Sequence, residues 1–252
     1  MYSGQQLVGS GHGLVYRFAG RDLGRMAATT LVLVHGAWHQ GSAWDLVTPQ
    51  LEQRGHAVVT PSLSVAPSTR LADHVVQLSE AIAAAAANGP VTVVAHSYAG
   101  VPAAQAVTRM RPAVERLVLL DAWLAPAGRS KLDIAPEWYS GWCLDSAAGD
   151  PAMLPIPPLW SIGIPDGSFE AEWLSPRLVE HPLATFTDPV ETQLDTDGVT
   201  MHAIVCTPAM MPFREFAMGA GCQVYEIESG HDVMVTRPVD LAALLHAVSS
   251  PA

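Results

Sequence analysis

With 252 residues, 24 acidic against 13 basic side chains and a net charge of −11, the chain is built for a large apolar core and against polyanionic partners. Its only lysine is Lys131 and no basic stripe is present, which argues against nucleic acid. No apolar run approaches the roughly 20 residues of a membrane span, and residues 1–6 lack the charged-then-apolar layout of a secretory signal.

Cys143, Cys206 and Cys222 are an odd set at no metal spacing, and we read them as reduced thiols of a cytoplasmic protein. His35 and His39 lack a third ligand nearby, so no metal is expected, and nothing in the sequence calls for a cofactor. A small-molecule substrate is the expected partner. A homodimer is compatible with the sequence, which does not specify the oligomeric state.

In chain order, residues 1–28 are weakly patterned and are read as an N-terminal extension. Residues 14–18 fit an edge strand, and Met26 is a candidate natural start. Leu31–Val34 is a buried strand running into His35-Gly36-Ala37-Trp38-His39. Residues 42–54 fit a helix ending at Gly55, and 57–59 the next strand. Leu71, Val75, Leu78 and Ile82 recur at helical spacing and predict a helix closed by Asn88-Gly89-Pro90.

Val91–His96 is a charge-free, β-branched run of the kind buried on both faces of a parallel sheet. It meets Ser97 and then the small, helix-compatible stretch from Ala99 to Val107. Strand, sharp turn, serine and helix make the layout of a nucleophile elbow, with Ala95 and Ala99 as the small flanking residues. In that layout the hydroxyl stands clear of the sheet and the helix N-terminus faces developing negative charge. The His-Gly turn after the first strand is where acyl-transfer enzymes place a second oxyanion donor, so the N–H groups of Ala37 and Tyr98 are the expected pair.

Leu117–Leu120 is a further strand ending at Asp121, followed later by strands over 201–206 and 223–227 and a final helix opened by Pro238. Alternating strands and helices predict a doubly wound, mostly parallel α/β sheet with helices on both faces. Its core covers residues 29–121 and 201–252. Residues 122–200 differ, with ten of the 20 prolines, five of the seven tryptophans and a strong acidic excess. We read them as a cap inserted over the carboxyl ends of the strands. The expected substrate wall is His35 and Trp38 with Trp123, Trp138, Trp142 and Trp160. Those tryptophans fit a pocket for a bulky substrate or the packing of an irregular subdomain equally well.

These segments resemble the α/β-hydrolase superfamily, and within it the methyl-esterase and hydroxynitrile-lyase group. The resemblance rests on Leu33–His39, Ala95–Gly100, Leu119–Pro126, and Ser229–Asp232 with Arg237-Pro238. It implies Ser97 as nucleophile and His231 as general base, with the other histidines in packing or surface roles. The group normally carries its triad acid just after the strand that here ends at Cys206, yet the chain continues Thr207-Pro208-Ala209-Met210-Met211-Pro212 without a carboxylate. Asp121 is the expected substitute and Glu215 a weaker one. The expected activity is hydrolysis of a carboxylic ester, lactone or thioester through an acyl-enzyme. A lyase or cyclase using the same pocket for proton transfer is the alternative that a missing acid favours. A non-catalytic binding protein is a third reading, against which Ser97 and His231 both count.

Overall fold

The structure is a computed structural model and describes residues 29–250. The extension over 1–28, its edge strand and the start at Met26 lie outside the described residues. Eight strands are present among them: β1 (Thr30–Val34), β2 (Ala57–Val59), β3 (Val91–His96), β4 (Val114–Leu120), β5 (Met153–Leu154), β6 (His181–Pro182), β7 (Thr200–Thr207) and β8 (Gln223–Glu228). Six of them form one sheet in the order β2-β1-β3-β4-β7-β8. Every pairing in that sheet is parallel.

The helices in chain order are α1 (Thr48–Glu52), α2 (Leu71–Ala85), α3 (Gly100–Arg109), α4 (Lys131–Ile134), α5 (Glu137–Ser146), α6 (Phe169–Leu174), α7 (Ala184–Thr187), α8 (Phe213–Gly219), α9 (Val233–Thr236) and α10 (Pro238–Ser249). Side chains alternate across the sheet with the period of two that a strand imposes. Leu31 and Leu33 of β1 enter a core shared with Leu51 of α1 and with Leu241 and Leu245 of α10. Val32 and Val34 enter the opposite core, with Leu78 and Ile82 of α2 and Ala103 and Val107 of α3. Burial on both faces is why these strands read as unbroken apolar runs.

The segment expected as one helix over 42–54 is instead a 3₁₀ turn (Gly41–Trp44) followed by α1. Pro49 near the start of α1 has no N–H to continue a helix begun upstream. Gly41 is pressed against the Thr60 carbonyl, where an added Cβ would lie 2.3 Å from that oxygen.

Chain connections diverge between adjacent strands β1 and β3, since β2 lies outside β1 and β4, β7 and β8 follow outside β3. That is the switch point at which open parallel sheets bind ligands. The turns after β1 and β3 flank it. Between β4 and β7 the chain leaves the sheet, forming α4 to α7 and the antiparallel β5–β6 pair over the strand ends.

Candidate active site

Among the described residues, three non-glycine residues adopt positive φ, and each follows a strand end: Trp38 (65°) after β1, Ser97 (54°) after β3 and Asp121 (42°) after β4. Such conformations cost about 1–3 kcal/mol each and persist only where the surroundings impose them, which marks functional turns. At Ser97 the strain is that of the elbow, with a 3₁₀ turn (Ser97–Ala99) leading into α3. Ala95 and Ala99 are fully buried, as their flanking role requires. The tightest approach falls one residue later. A Cβ on Gly100 would lie 2.2 Å from the Trp123 carbonyl oxygen, so α3 passes directly under the chain leaving β4.

Ser97 Oγ lies 2.9 Å from His231 Nε2. On the other side of the ring, His231 Nδ1 lies 3.0 Å from Asp121 Oδ2. A carboxylate only accepts, so Nδ1 carries the proton and Nε2 presents its lone pair to the Ser97 hydroxyl. The second carboxylate oxygen, Oδ1, accepts the Cys206 N–H at 2.8 Å. Strand β7, which offers no acid after its end, thus supplies a backbone donor that fixes Asp121. Asp121, the expected substitute, is thus placed between His231 and the Cys206 N–H. Glu215 is exposed on α8.

His231 belongs to the loop after β8, and its ring stacks on Phe213 with centroids 5.3 Å apart and planes at 12°. Its carbonyl accepts from His96 Nε2 at 3.1 Å. Ala37 and Tyr98, the expected oxyanion donors, are both buried; Tyr98 follows Ser97, and Ala37 follows Gly36, whose added Cβ would lie 3.0 Å from the Ser97 Cβ. The Tyr98 hydroxyl is 2.8 Å from His74 Nδ1, and His74 Nε2 donates to the Ser64 carbonyl at 2.8 Å. His74 Nδ1 is then unprotonated and accepts from the tyrosine, which anchors the residue after the serine.

The cavity at this place is narrow, about 50 Å³, and is lined by Trp38, Trp123, Tyr139, Ile162, Met211 and Phe213 around Ser97 and His231, with Ser161 and Met210 completing its wall. Of the residues expected to wall the substrate, Trp38 and Trp123 line this cavity, whereas His35, Trp138, Trp142 and Trp160 are placed outside its lining. Trp138 and Trp160 are each 65% exposed and point to solvent. On α5, successive side chains turn by 100°, so Tyr139 faces the cavity while its neighbour Trp138 faces away. Trp142 packs edge-on against Trp38 at 6.1 Å, behind the lining. His35 is buried, with Nδ1 donating to the Gly36 carbonyl at 2.8 Å and Nε2 accepting the Leu63 N–H at 3.0 Å. Burial pushes its pKa down to about 3, so it is a neutral ring held between two backbone groups.

Aromatic rings converge on the space beside Ser97. Of the residues that sequence reasoning missed, Met210, Met211 and Phe213 carried a signal, since they follow a strand end of a parallel sheet. Tyr139, Ser161 and Ile162 carried none. A wider groove of about 410 Å³, lined by Pro90, Arg111, Val114 and Asp197 among others, opens at the amino ends of β3 and β4 and holds no nucleophile.

Residues 31–244 match the Alpha/beta hydrolase family, and the chain belongs to that family. A carbendazim hydrolyzing esterase from Nocardioides sp. (strain SG-4G) is 30% identical over 242 residues, spanning 86% of this chain and 98% of that protein. Among solved structures, an extracellular alpha/beta-hydrolase from a Paenibacillus species superposes with a TM-score of 0.76 at 17% identity, covering 89% of this chain and all (100%) of that one. Polyneuridine aldehyde esterase gives 0.72 at 21% identity, with 88% and 99% covered. At those identities the structural likeness speaks for the fold. No helix among the described residues is long and apolar enough to cross a membrane.

Proposed function

We propose that this protein is a carboxylesterase-type serine hydrolase working through an acyl-enzyme on Ser97. Ester hydrolysis is supported by family membership and by the esterase relative. The observation that carries the mechanism is the unbroken line Asp121–His231–Ser97, at 3.0 and 2.9 Å.

In this reading His231 Nε2 takes the Ser97 proton as Oγ attacks the ester carbonyl, and the oxyanion is met by the N–H groups of Ala37 and Tyr98. The carbonyl re-forms, the C–O bond to the leaving alkoxide breaks, and His231 returns the proton to it. A water, deprotonated by the same nitrogen, then attacks the acyl carbon, and collapse frees the acid and Ser97. Loss of one oxyanion donor typically costs about 10²–10³ in kcat. The absence of an acid after β7 favours a lyase or cyclase, whereas the contact of Asp121 with His231 supports the hydrolase.

The aromatic lining supports a substrate whose acyl or leaving group is flat or small near Ser97, with any larger part extending toward the exposed Met210. The test is turnover of a panel of aryl and methyl esters, with carbendazim included because the relative is named for it. Wild type should cleave at least one member with a burst of released alcohol, and Ser97→Ala none. Equal turnover by wild type and Ser97→Ala would overturn the reading.

A further inference from the structure

A second buried carboxylate–imidazole pair lies beside the first. His39 Nε2 is 3.0 Å from Asp232 Oδ2, with the two side chains 4% and 0% exposed. His39 Nδ1 is 2.7 Å from the Ala37 carbonyl oxygen. Carbonyl and carboxylate oxygens only accept, so both ring nitrogens must donate, and a ring with two N–H groups is an imidazolium. We propose that His39 and Asp232 form a buried imidazolium–carboxylate pair that positions the candidate oxyanion turn against the loop of the candidate general base.

The placement carries the argument. Ala37 follows β1 and His231 follows β8, and three strands, β3, β4 and β7, separate those two in the sheet. Sheet hydrogen bonds therefore do not tie the two turns together. His39 does so on one side by holding the Ala37 carbonyl and on the other by holding the residue after His231. Asp232 also donates its N–H to the Ile162 carbonyl at 3.2 Å, which joins the cavity wall to the same point. A buried ion pair is seldom more stabilising than an apolar pair of equal volume, so its presence here points to geometry.

Electrostatics agree with this donor pattern. Burial opposes charge on His39, but Asp232 and the Ala37 carbonyl outweigh it and raise the imidazole above its ordinary value. Asp232, equally buried, is held below its ordinary value by His39. The other titratable groups facing the pair are His35, His96, His181, His231 and Cys206; burial lowers the His181 imidazole and raises the Cys206 thiol, so both stay neutral. Burial keeps His35 and His96 low and neutral, so neither competes for the carboxylate. A group whose folded pKa is raised holds its contribution below the ordinary value and loses it as pH rises through the folded value. The pair should therefore fail on the alkaline side.

This proposal rests on Ser97 being the nucleophile, and its test separates the two. The rate of Ser97 phosphonylation by a fluorophosphonate is measured against pH for wild type, Asp232→Asn and Asp232→Glu, while NMR of the His39 ring counts its protons in wild type. The expected wild-type rate falls at alkaline pH. Asp232→Asn should slow the reaction about ten- to hundred-fold and move the alkaline limb about one pH unit or more lower, with Asp232→Glu recovering part of both. A purely structural pair would lower the melting temperature and leave the pH profile of the folded fraction unchanged, which would overturn the proposal. A single ring proton on His39 at neutral pH would also overturn it, including in the case that Asp232→Asn does not fold. Absence of phosphonylation in wild type would instead reject the nucleophile, and the NMR count would still decide the pair.

Discussion

Asp121 uses its two carboxylate oxygens on two different strands' continuations: Oδ2 meets His231 Nδ1 at 3.0 Å beyond β8, and Oδ1 takes the Cys206 N–H at 2.8 Å on β7. Asp121→Asn keeps an oxygen for Cys206 and turns an NH₂ toward His231. That forces the imidazole into the tautomer whose Nε2 carries the proton, useless as a base. In serine proteases the equivalent change costs about 10⁴ in kcat, and a fall of several orders is expected here. Steady-state kinetics on the best ester decide the matter, and a kcat within about ten-fold of wild type would remove Asp121 from the mechanism.

His35 should set part of the acid stability. Its Nε2 accepts the Leu63 N–H, so protonation there breaks a buried hydrogen bond. With a pKa lowered by burial from 6.5 to about 3, it gives stability that is fully present above 6.5 and is lost as pH falls toward 3. Melting temperature measured down that range should decline in wild type, and decline less steeply in His35→Gln. Identical slopes would show that His35 contributes nothing.

The cavity wall makes a comparison among aromatic residues. Phe213 lies flat on the His231 ring, whereas Trp138 and Trp160 face water. Phe213→Leu should lower kcat by about ten-fold through a misplaced imidazole. Trp138→Ala and Trp160→Ala should leave kcat/KM within about two-fold, as exposed substitutions usually do. A large loss in either tryptophan variant would mean that the substrate reaches across the rim.

Gly163 has φ 84° and sits so close to the histidine loop that an added Cβ would be 2.6 Å from the Gly230 Cα. Gly163→Ala must push the inserted segment and that loop apart. We expect ester turnover to drop more than the melting temperature does, and an unchanged kcat would show that the contact does not position His231.

Much of this arrangement is legible in the sequence. The sheet strands announced themselves because burial on both faces demands unbroken apolar residues, as in Leu31–Val34 and Val91–His96. Ser97 and His231 stood out because each follows a strand end beside glycine or alanine. Asp121 is reached from the sequence only through the family resemblance, as the substitute for an acid missing after Cys206, and its reach to His231 depends on a positive φ and on the Cys206 N–H, neither of which has a sequence mark. The inserted segment was opaque, because α5 has no apolar stripe to say that Tyr139 faces inward and Trp138 outward. His39 and Asp232 were invisible as a pair, being 193 residues apart.

Under the proposed mechanism His231, oriented by Asp121, activates Ser97. Intact mass after incubation with a fluorophosphonate tests it most directly, using wild type, Ser97→Ala and His231→Ala. One adduct on wild type and none on either variant is the predicted result. An adduct that survives in Ser97→Ala, or equally fast labelling of His231→Ala, would contradict it.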